Sequence, residues 1–252
     1  MRRCIVAAMA MVCLVGVSTM KASAEEGWKF EITPYIWFVG IDADLTILDR
    51  EVDLDVGFSD LIDKVDFAGE LFLTAQKGPW VLWSQCDYMA MSDEFDVTVP
   101  SNNLTVNGDV NNDTWFLAGG AGYQFIGGLT KNATTDVLVG VRYLSMDNEV
   151  KLSAPALGVS RTVQRDTGIT DAILIIRPSI PITEKLRFNP TVSIGTGDSD
   201  LVYELQPQLQ YQFTDSISGR LGYRRLYYDV DKDNVKFDGA FHGFILGLGV
   251  TF

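Results

Sequence analysis

The sequence predicts an all-β chain folded as a single antiparallel transmembrane β-barrel of about ten strands. Three observations lead there: long stretches of period-2 alternation, connections that alternate between short and long, and aromatic residues gathered at strand ends on the apolar face. Successive strand residues point to opposite faces, so alternation gives one apolar and one polar face. A soluble sheet with one buried face would alternate too. The spacing and the aromatics decide for the membrane.

The alternation is cleanest over 201–213. Leu201, Tyr203, Leu205, Pro207, Leu209, Tyr211 and Phe213 share one face, and Val202, Glu204, Gln206, Gln208, Gln210 and Gln212 the other. The C-terminus repeats the pattern, with Phe244, Leu246, Leu248, Val250 and Phe252 opposite Gly243, Ile245, Gly247, Gly249 and Thr251. In all, ten candidate strands are read, at 28–41, 64–77, 79–92, 113–126, 134–148, 166–181, 185–196, 201–213, 216–229 and 237–252. Most reach the ~9–11 residues of a tilted membrane strand. Pro34, Pro178, Pro190 and Pro207 fall inside them. Proline removes a ladder hydrogen bond, so each predicts a bulge, a strand end or a displaced boundary, and the count stays between eight and twelve.

The short connections are Lys77-Gly78-Pro79, 125–133, Ile182-Thr183-Glu184 and Thr214-Asp215. The long ones lie near 42–63, 93–112 and 149–165, with smaller ones at 197–200 and 230–236, and a helical turn is expected near 59–63. Short turns on one side and long loops on the other are the outer-membrane arrangement, and they put both chain ends on the short-turn side. Trp28, Phe30, Trp80, Tyr123, Phe125, Tyr211, Phe213 and Phe252 fall at that end of the apolar face. Tyr88, Trp115, Tyr143, Tyr203, Tyr223, Tyr227 and Phe244 fall at the far end. Two such girdles frame a lipid-facing band.

Composition agrees. The 252 residues are 47% hydrophobic and 21% charged, a folded composition, and no linker or repeat divides the chain. Net charge is -13, which excludes nucleic acid, since its binding requires Lys and Arg to neutralise phosphates. One His argues against His-built metal sites and leaves little for His-based catalysis. No metal site and no cofactor is expected.

Residues 1–24 read as a secretory signal: Arg2 and Arg3, an apolar core over 4–17, then Ala22-Ser23-Ala24 before Glu25. An uncleaved anchor is the other reading, and the short core and Lys21 favour cleavage. Removing Arg2, Arg3 and Lys21 takes the 20 bases to 17 against 33 acids, a net charge of -16. Cys4 and Cys13 leave with the leader, so Cys86 is the one mature thiol. The expected barrel domain is 25–252. No later run approaches the ~20 apolar residues of a membrane helix.

Residues over most of the mature chain resemble a family of small, largely uncharacterised, porin-like outer-membrane β-barrels of Gram-negative bacteria. The resemblance is carried by Trp28-Lys29-Phe30, Thr33-Pro34-Tyr35-Ile36-Trp37, Lys77-Gly78-Pro79-Trp80 and Asp87-Tyr88. It is strongest at Ile194-Gly195-Thr196-Gly197-Asp198-Ser199-Asp200, then continues through Tyr211-Gln212-Phe213-Thr214-Asp215, Leu221-Gly222-Tyr223-Arg224 and Gly247-Leu248-Gly249-Val250-Thr251-Phe252. Near Asp171 such barrels often carry Trp and Pro, where this chain has Ile169 and Ala172. The resemblance implies an outer-membrane location and no activity or catalytic residue. Leu248, Val250 and the terminal Phe252 look like the signal read by the barrel-assembly machinery.

If the apolar face meets lipid, the other face lines the bore. Its charges are then Lys29, Glu31, Glu70, Asp87, Arg142, Asp171, Arg177, Arg187, Glu204, Arg220 and Arg224, six bases and five acids in a strongly acidic chain. Buried charges need partners, so a polar, ion-paired interior is expected, closed or narrow. Arg220 and Arg224 are expected to meet Glu204. The glycines of the last strand leave room for Tyr35 and Trp37 across the bore. Solvated lumen charges with little coupling are the alternative.

Other candidates carry less. His242 falls on the outward face with Phe244, and Asp238 is too far along the strand to orient it. Cys86 reads as a small apolar filler. Asp229-Val230-Asp231-Lys232-Asp233-Asn234 resembles the start of a calcium loop, but position twelve is Ala240. Asp42, Asp44, Asp49, Asp53 and Asp55 make the first loop acidic, and such loops could share the divalent ions of lipopolysaccharide. Arg225 near the outer rim either meets lipid phosphate or snorkels. The function expected is a structural or narrow-channel barrel, most simply a monomer, surrounded by outer-membrane lipid and lipopolysaccharide. Ligand binding through the long loops is the alternative, and an outer-membrane hydrolase a distant third.

Overall fold

A computed structural model describes residues 27–47, 50–99, 104–127, 132–232 and 235–252. The expected leader, with Cys4 and Cys13, lies outside the described residues, as do Asp49, Asp233 and Asn234. Among the described residues thirteen strands form one sheet in which every pairing is antiparallel. They are β1 (Trp28–Ile47), β2 (Arg50–Val56), β3 (Val65–Lys77), β4 (Trp80–Val99), β5 (Leu104–Ile126), β6 (Thr134–Ala154) and β7 (Val159–Pro181). The remainder are β8 (Leu186–Phe188), β9 (Thr191–Gly197), β10 (Leu201–Gln206), β11 (Gln208–Gln212), β12 (Ile217–Lys232) and β13 (Val235–Thr251).

The wall counts ten strands. β8 and β9 keep one register against β7 and against β10 and β11, so they are one wall strand interrupted at Asn189-Pro190. β10 and β11 likewise keep one register against β12 across Pro207. β2 pairs only with β1 and stands apart from the wall. With those two pairs each taken once and β2 left out, ten remain, and β1 against β13 closes the ring.

The prolines do what their missing N–H demands. Pro190 and Pro207 sit at the two interruptions, and Pro178 of β7 lies opposite the first, where β8 and β9 make no pair with it. Pro34 keeps its place in the ladder to β3, while the β1–β13 ladder skips from Ile32↔Val250 to Tyr35↔Gly247. The tight β3–β4 turn places Gly78 at φ 57°, a left-handed conformation glycine adopts without steric cost.

Three of the expected long loops are strand instead. Most of 93–112 and 149–165 continues β4, β5, β6 and β7 outward as hairpins, and 50–56 folds back on β1. Asp- and Asn-rich sequence reads as loop, yet a hairpin that has left the membrane needs no apolar face to persist. The expected helical turn is present over Phe58–Leu61, and Phe58 packs edge-on against Phe38 at 5.0 Å.

Outward residues form a belt. Ile36, Leu82, Val139, Val141, Ile194, Leu205, Leu221, Leu246 and Leu248 are all exposed. At the short-turn end Phe30 lies between Trp28 and Phe252, and Tyr123 between Trp80 and Phe125. At the other end Tyr88 meets Trp115, Tyr203 stacks on Tyr227, and Tyr223 meets Phe244. Trp80 and Tyr88 are eight residues apart, about 26 Å of strand. At the ~40° tilt of such barrels this spans about 20 Å along the membrane normal. A ring of exposed aliphatics between two aromatic girdles is unstable in water and suited to lipid.

Candidate functional site in the barrel bore

Inward side chains arrange in layers. At the centre, Arg224 of β12 reaches two acids on different walls. Its Nε donates to Glu204 Oε1 at 2.9 Å and its Nη1 to Asp87 Oδ2 at 2.6 Å. Glu204 takes a second bond from Arg142 Nη2, which also donates to Ser193 Oγ at 3.3 Å. Asp87 accepts from the Tyr35 hydroxyl, and Gln85 Nε2 donates to Tyr35 Oη at 2.8 Å and Asp87 Oδ2 at 3.2 Å. The chain Arg142–Glu204–Arg224–Asp87–Tyr35 thus crosses the bore, with Arg142, Glu204 and Arg224 at 2%, 0% and 1% exposure. Trp37 lies 4.2 Å from the Arg224 guanidinium, and Tyr35 stacks on Phe72 at 4.1 Å. Each charge therefore has an opposite charge in contact, the condition on which buried ions are tolerated.

Glu204 pairs with Arg224, as expected, but not with Arg220. Arg220 meets Glu31 of β1 instead, reaching across β13. Glycine makes this possible: a Cβ on Gly249 would come within 2.8 Å of Glu31 Oε1, and one on Gly247 within 3.0 Å of the Tyr35 Cβ. The stripe without side chains sets which acid Arg220 finds.

The other expected lumen residues divide. Glu70 faces Asp87 and Tyr35 in register, with one carboxylate oxygen unpartnered. Asp171 is buried, but its carboxylate accepts from the Ser199 N–H and hydroxyl, both at 2.9 Å. It fastens the β9–β10 turn rather than joining the central chain. Arg177 stacks over Trp83 at 5.7 Å, Arg187 donates to Ser179 Oγ at 2.8 Å, and Lys29 is exposed at the lower rim. Sequence reading missed Asp136, which takes a bond from Gln124 at 2.8 Å.

It also missed an apolar layer. Beyond the charges, toward the outside, Val39, Phe116, Leu144, Ile169, Val202, Leu226, Tyr228 and Phe241 are buried in the bore. Phe116 packs edge-on against Phe241 at 5.0 Å and Trp37 at 5.9 Å. The signal was present: Trp115-Phe116-Leu117 and Leu226-Tyr227-Tyr228 are apolar on both faces, as strands buried on both sides must be. The charged chain and this apolar layer together fill the middle of the bore.

The chain is an antiparallel transmembrane β-barrel. It matches no protein-family model and no curated protein. Several solved proteins are similar to it at low identity. The translocator domain of the autotransporter NalP from Neisseria meningitidis has 13% identity and a TM-score of 0.49, covering 98% of this chain and 96% of that one. The outer-membrane protease OmpT from Escherichia coli has 10% identity and a TM-score of 0.47, covering 91% and 98%. Ail, the attachment invasion locus protein of Yersinia pestis, has 13% identity and a TM-score of 0.33, covering 90% and 99%. These likenesses concern the barrel and assign no activity.

The remaining candidates do not converge on a reaction. His242 Nδ1 lies 2.8 Å from the Tyr223 hydroxyl on the outer surface, and Asp238 is bonded to Tyr227 instead. Among the described residues no group of three or more His, Cys, Asp or Glu side chains is spaced to hold a metal ion.

Proposed function

We propose that this protein is a sealed, non-conducting barrel of the Gram-negative outer membrane, with a structural role, and that it meets other molecules through the strand hairpins that rise outside the bilayer. One observation carries the reading: the Arg142–Glu204–Arg224–Asp87–Tyr35 chain spans the bore beneath a packed apolar layer. A solute path would have to part both, and breaking one buried ion pair alone costs about 3–5 kcal/mol. The pairing of His242 with a tyrosine rather than an acid favours a non-enzymatic role. On this reading the leader 1–24 exports the chain, and the outward Leu248, Val250 and Phe252 serve the assembly machinery.

Liposome swelling tests it. The refolded full chain should admit neither small sugars nor amino acids above the lipid background. Swelling that depends on folded protein would replace this reading with that of a narrow channel.

A further inference from the structure

Beyond the outer girdle, β4 to β7 form a four-stranded sheet with one open edge on β7. β9 first pairs with β7 at Asp171↔Gly197, so among the described residues 159–169 has no strand neighbour on that side. Thr170 shows which backbone groups face outward there: its N–H donates to Asp198 Oδ2 at 3.0 Å and its carbonyl accepts from the Asp198 N–H at 3.0 Å. Strand alternation turns the N–H and C=O of Ser160, Thr162, Gln164, Asp166 and Gly168 the same way. Among the described residues none of these five has a backbone partner on that side.

The side chains beside this edge are unlike the rest of the molecule. On the face continuous with the bore stand Arg161, Val163 and Arg165, all exposed, with Val150 and Val110 in register beside Val163. Of the acids of these strands, Asp109, Asp113, Asp147, Glu149 and Asp166 fall on the opposite face by alternation, whereas Asp93 of β4 shares the face with Val110, at the far side of the sheet, and is paired with Lys64. A chain of net charge -13 therefore presents a cationic and apolar strip along the unpaired backbone of β7. The other open edge, 92–99 of β4, carries Asp93, Glu94 and Asp96, charges that discourage pairing with another strand.

We propose that the β7 edge is a docking site for an extended acidic peptide segment of a partner protein, which adds to the sheet as an antiparallel strand. Strand addition draws affinity from main-chain hydrogen bonds and selectivity from alternate side chains. Arg161 and Arg165 are four residues apart, about 13 Å of strand. The matching segment carries acids at positions i and i+4 and an apolar residue at i+2, opposite Val163. The proposal rests on the reading of the hairpins as the interaction surface. A conducting bore would overturn the sealed reading and leave this assay untouched.

The probe is a fluorescein-labelled peptide of sequence Thr-Glu-Thr-Val-Thr-Glu-Thr, read by anisotropy against the refolded full chain in micelles. Binding should be saturable and lost when lysine replaces both glutamates. R161E/R165E should weaken it by about tenfold or more, the loss of two cross-strand charge pairs, and should take up the lysine peptide instead. Gln164→Pro removes one outward N–H without changing charge and should also abolish binding. Heat-modifiable gel migration confirms that each variant is folded. No binding to folded protein overturns the proposal. Binding that falls with R161E/R165E but survives Gln164→Pro also overturns it, leaving a contact of charges alone.

Discussion

β4 to β7 cross two environments, and they obey different rules on the two sides of the outer aromatic girdle. Inside the membrane their outward face is apolar and their charges point inward, where Arg142 and Asp87 are held by Glu204 and Arg224 from across the bore. Outside, charges stand on both faces, Arg161, Arg165 and Asp93 beside valines on one and Asp109, Glu149, Lys151 and Asp166 on the other, and Lys64–Asp93 and Lys151–Glu149 are ion pairs with solvent beside them. Backbone pairing is continuous through both regions. The ladder therefore carries the strands outward, while the side chains record where lipid ends. A buried charge is held because leaving it unpaired is prohibitive, and an exposed pair contributes little.

That contrast is open to attack, beginning at the centre. Glu204→Ala leaves Arg142 and Arg224 buried without their shared acid and should destabilise the barrel by about 3–5 kcal/mol. The guanidinium midpoint of refolded protein measures this, and an unchanged midpoint would mean that the bore is wet. A charge on the lipid face comes next. Val139→Arg, mid-belt and 68% exposed, should cost about 2–4 kcal/mol, whereas Val163→Arg on the external sheet should stay within about 0.5 kcal/mol. Equal costs would erase the boundary drawn here between the two regions.

The glycine stripe gives a smaller effect. Gly249→Val drives a side chain into Glu31 and Ser218, and should cost about 1–3 kcal/mol by overpacking while parting Arg220 from Glu31. A wild-type midpoint would show that the bore yields there. The smallest effect is at the Lys64–Asp93 pair. The Lys64 ammonium bonded to Asp93 holds its carboxyl below the usual carboxylate range. Its stabilisation is thus complete above the ordinary carboxylate pKa and is lost as pH falls through the lower folded value. Amide exchange in the Phe58–Lys64 turn should quicken over that acid window, and the added acid sensitivity should vanish in Asp93→Asn.

Much of this was legible in the sequence and some was not, for definite reasons. The wall was legible because lipid on one side enforces alternation, as over 201–213, and because rings collect at the interfaces. The Glu204–Arg224 pair followed from two inward charges on neighbouring strands. The Arg220–Glu31 pair did not, because it skips a strand over Gly249, and no local pattern records contacts through missing side chains. Asp171 was placed inward correctly, but its partner Ser199 lies in a turn whose course alternation does not describe. The external hairpins were hidden for another reason. Period 2 persists beyond the bilayer, as in Leu104, Val106 and Val110 and in Val159, Arg161, Val163 and Arg165, but the Asn, Asp, Ser and Thr residues between them read as loop.

The most direct measurement of the central claim is planar-bilayer conductance of the refolded full chain, beside Glu204→Ala, with heat-modifiable migration as the folding control. A sealed bore predicts a silent wild-type protein over many folded insertions, with flickering current confined to the variant whose central layer is broken. Steady, discrete steps from the wild-type protein would contradict the account, because they would show ions passing where the structure places a continuous layer of paired charges under a packed apolar one.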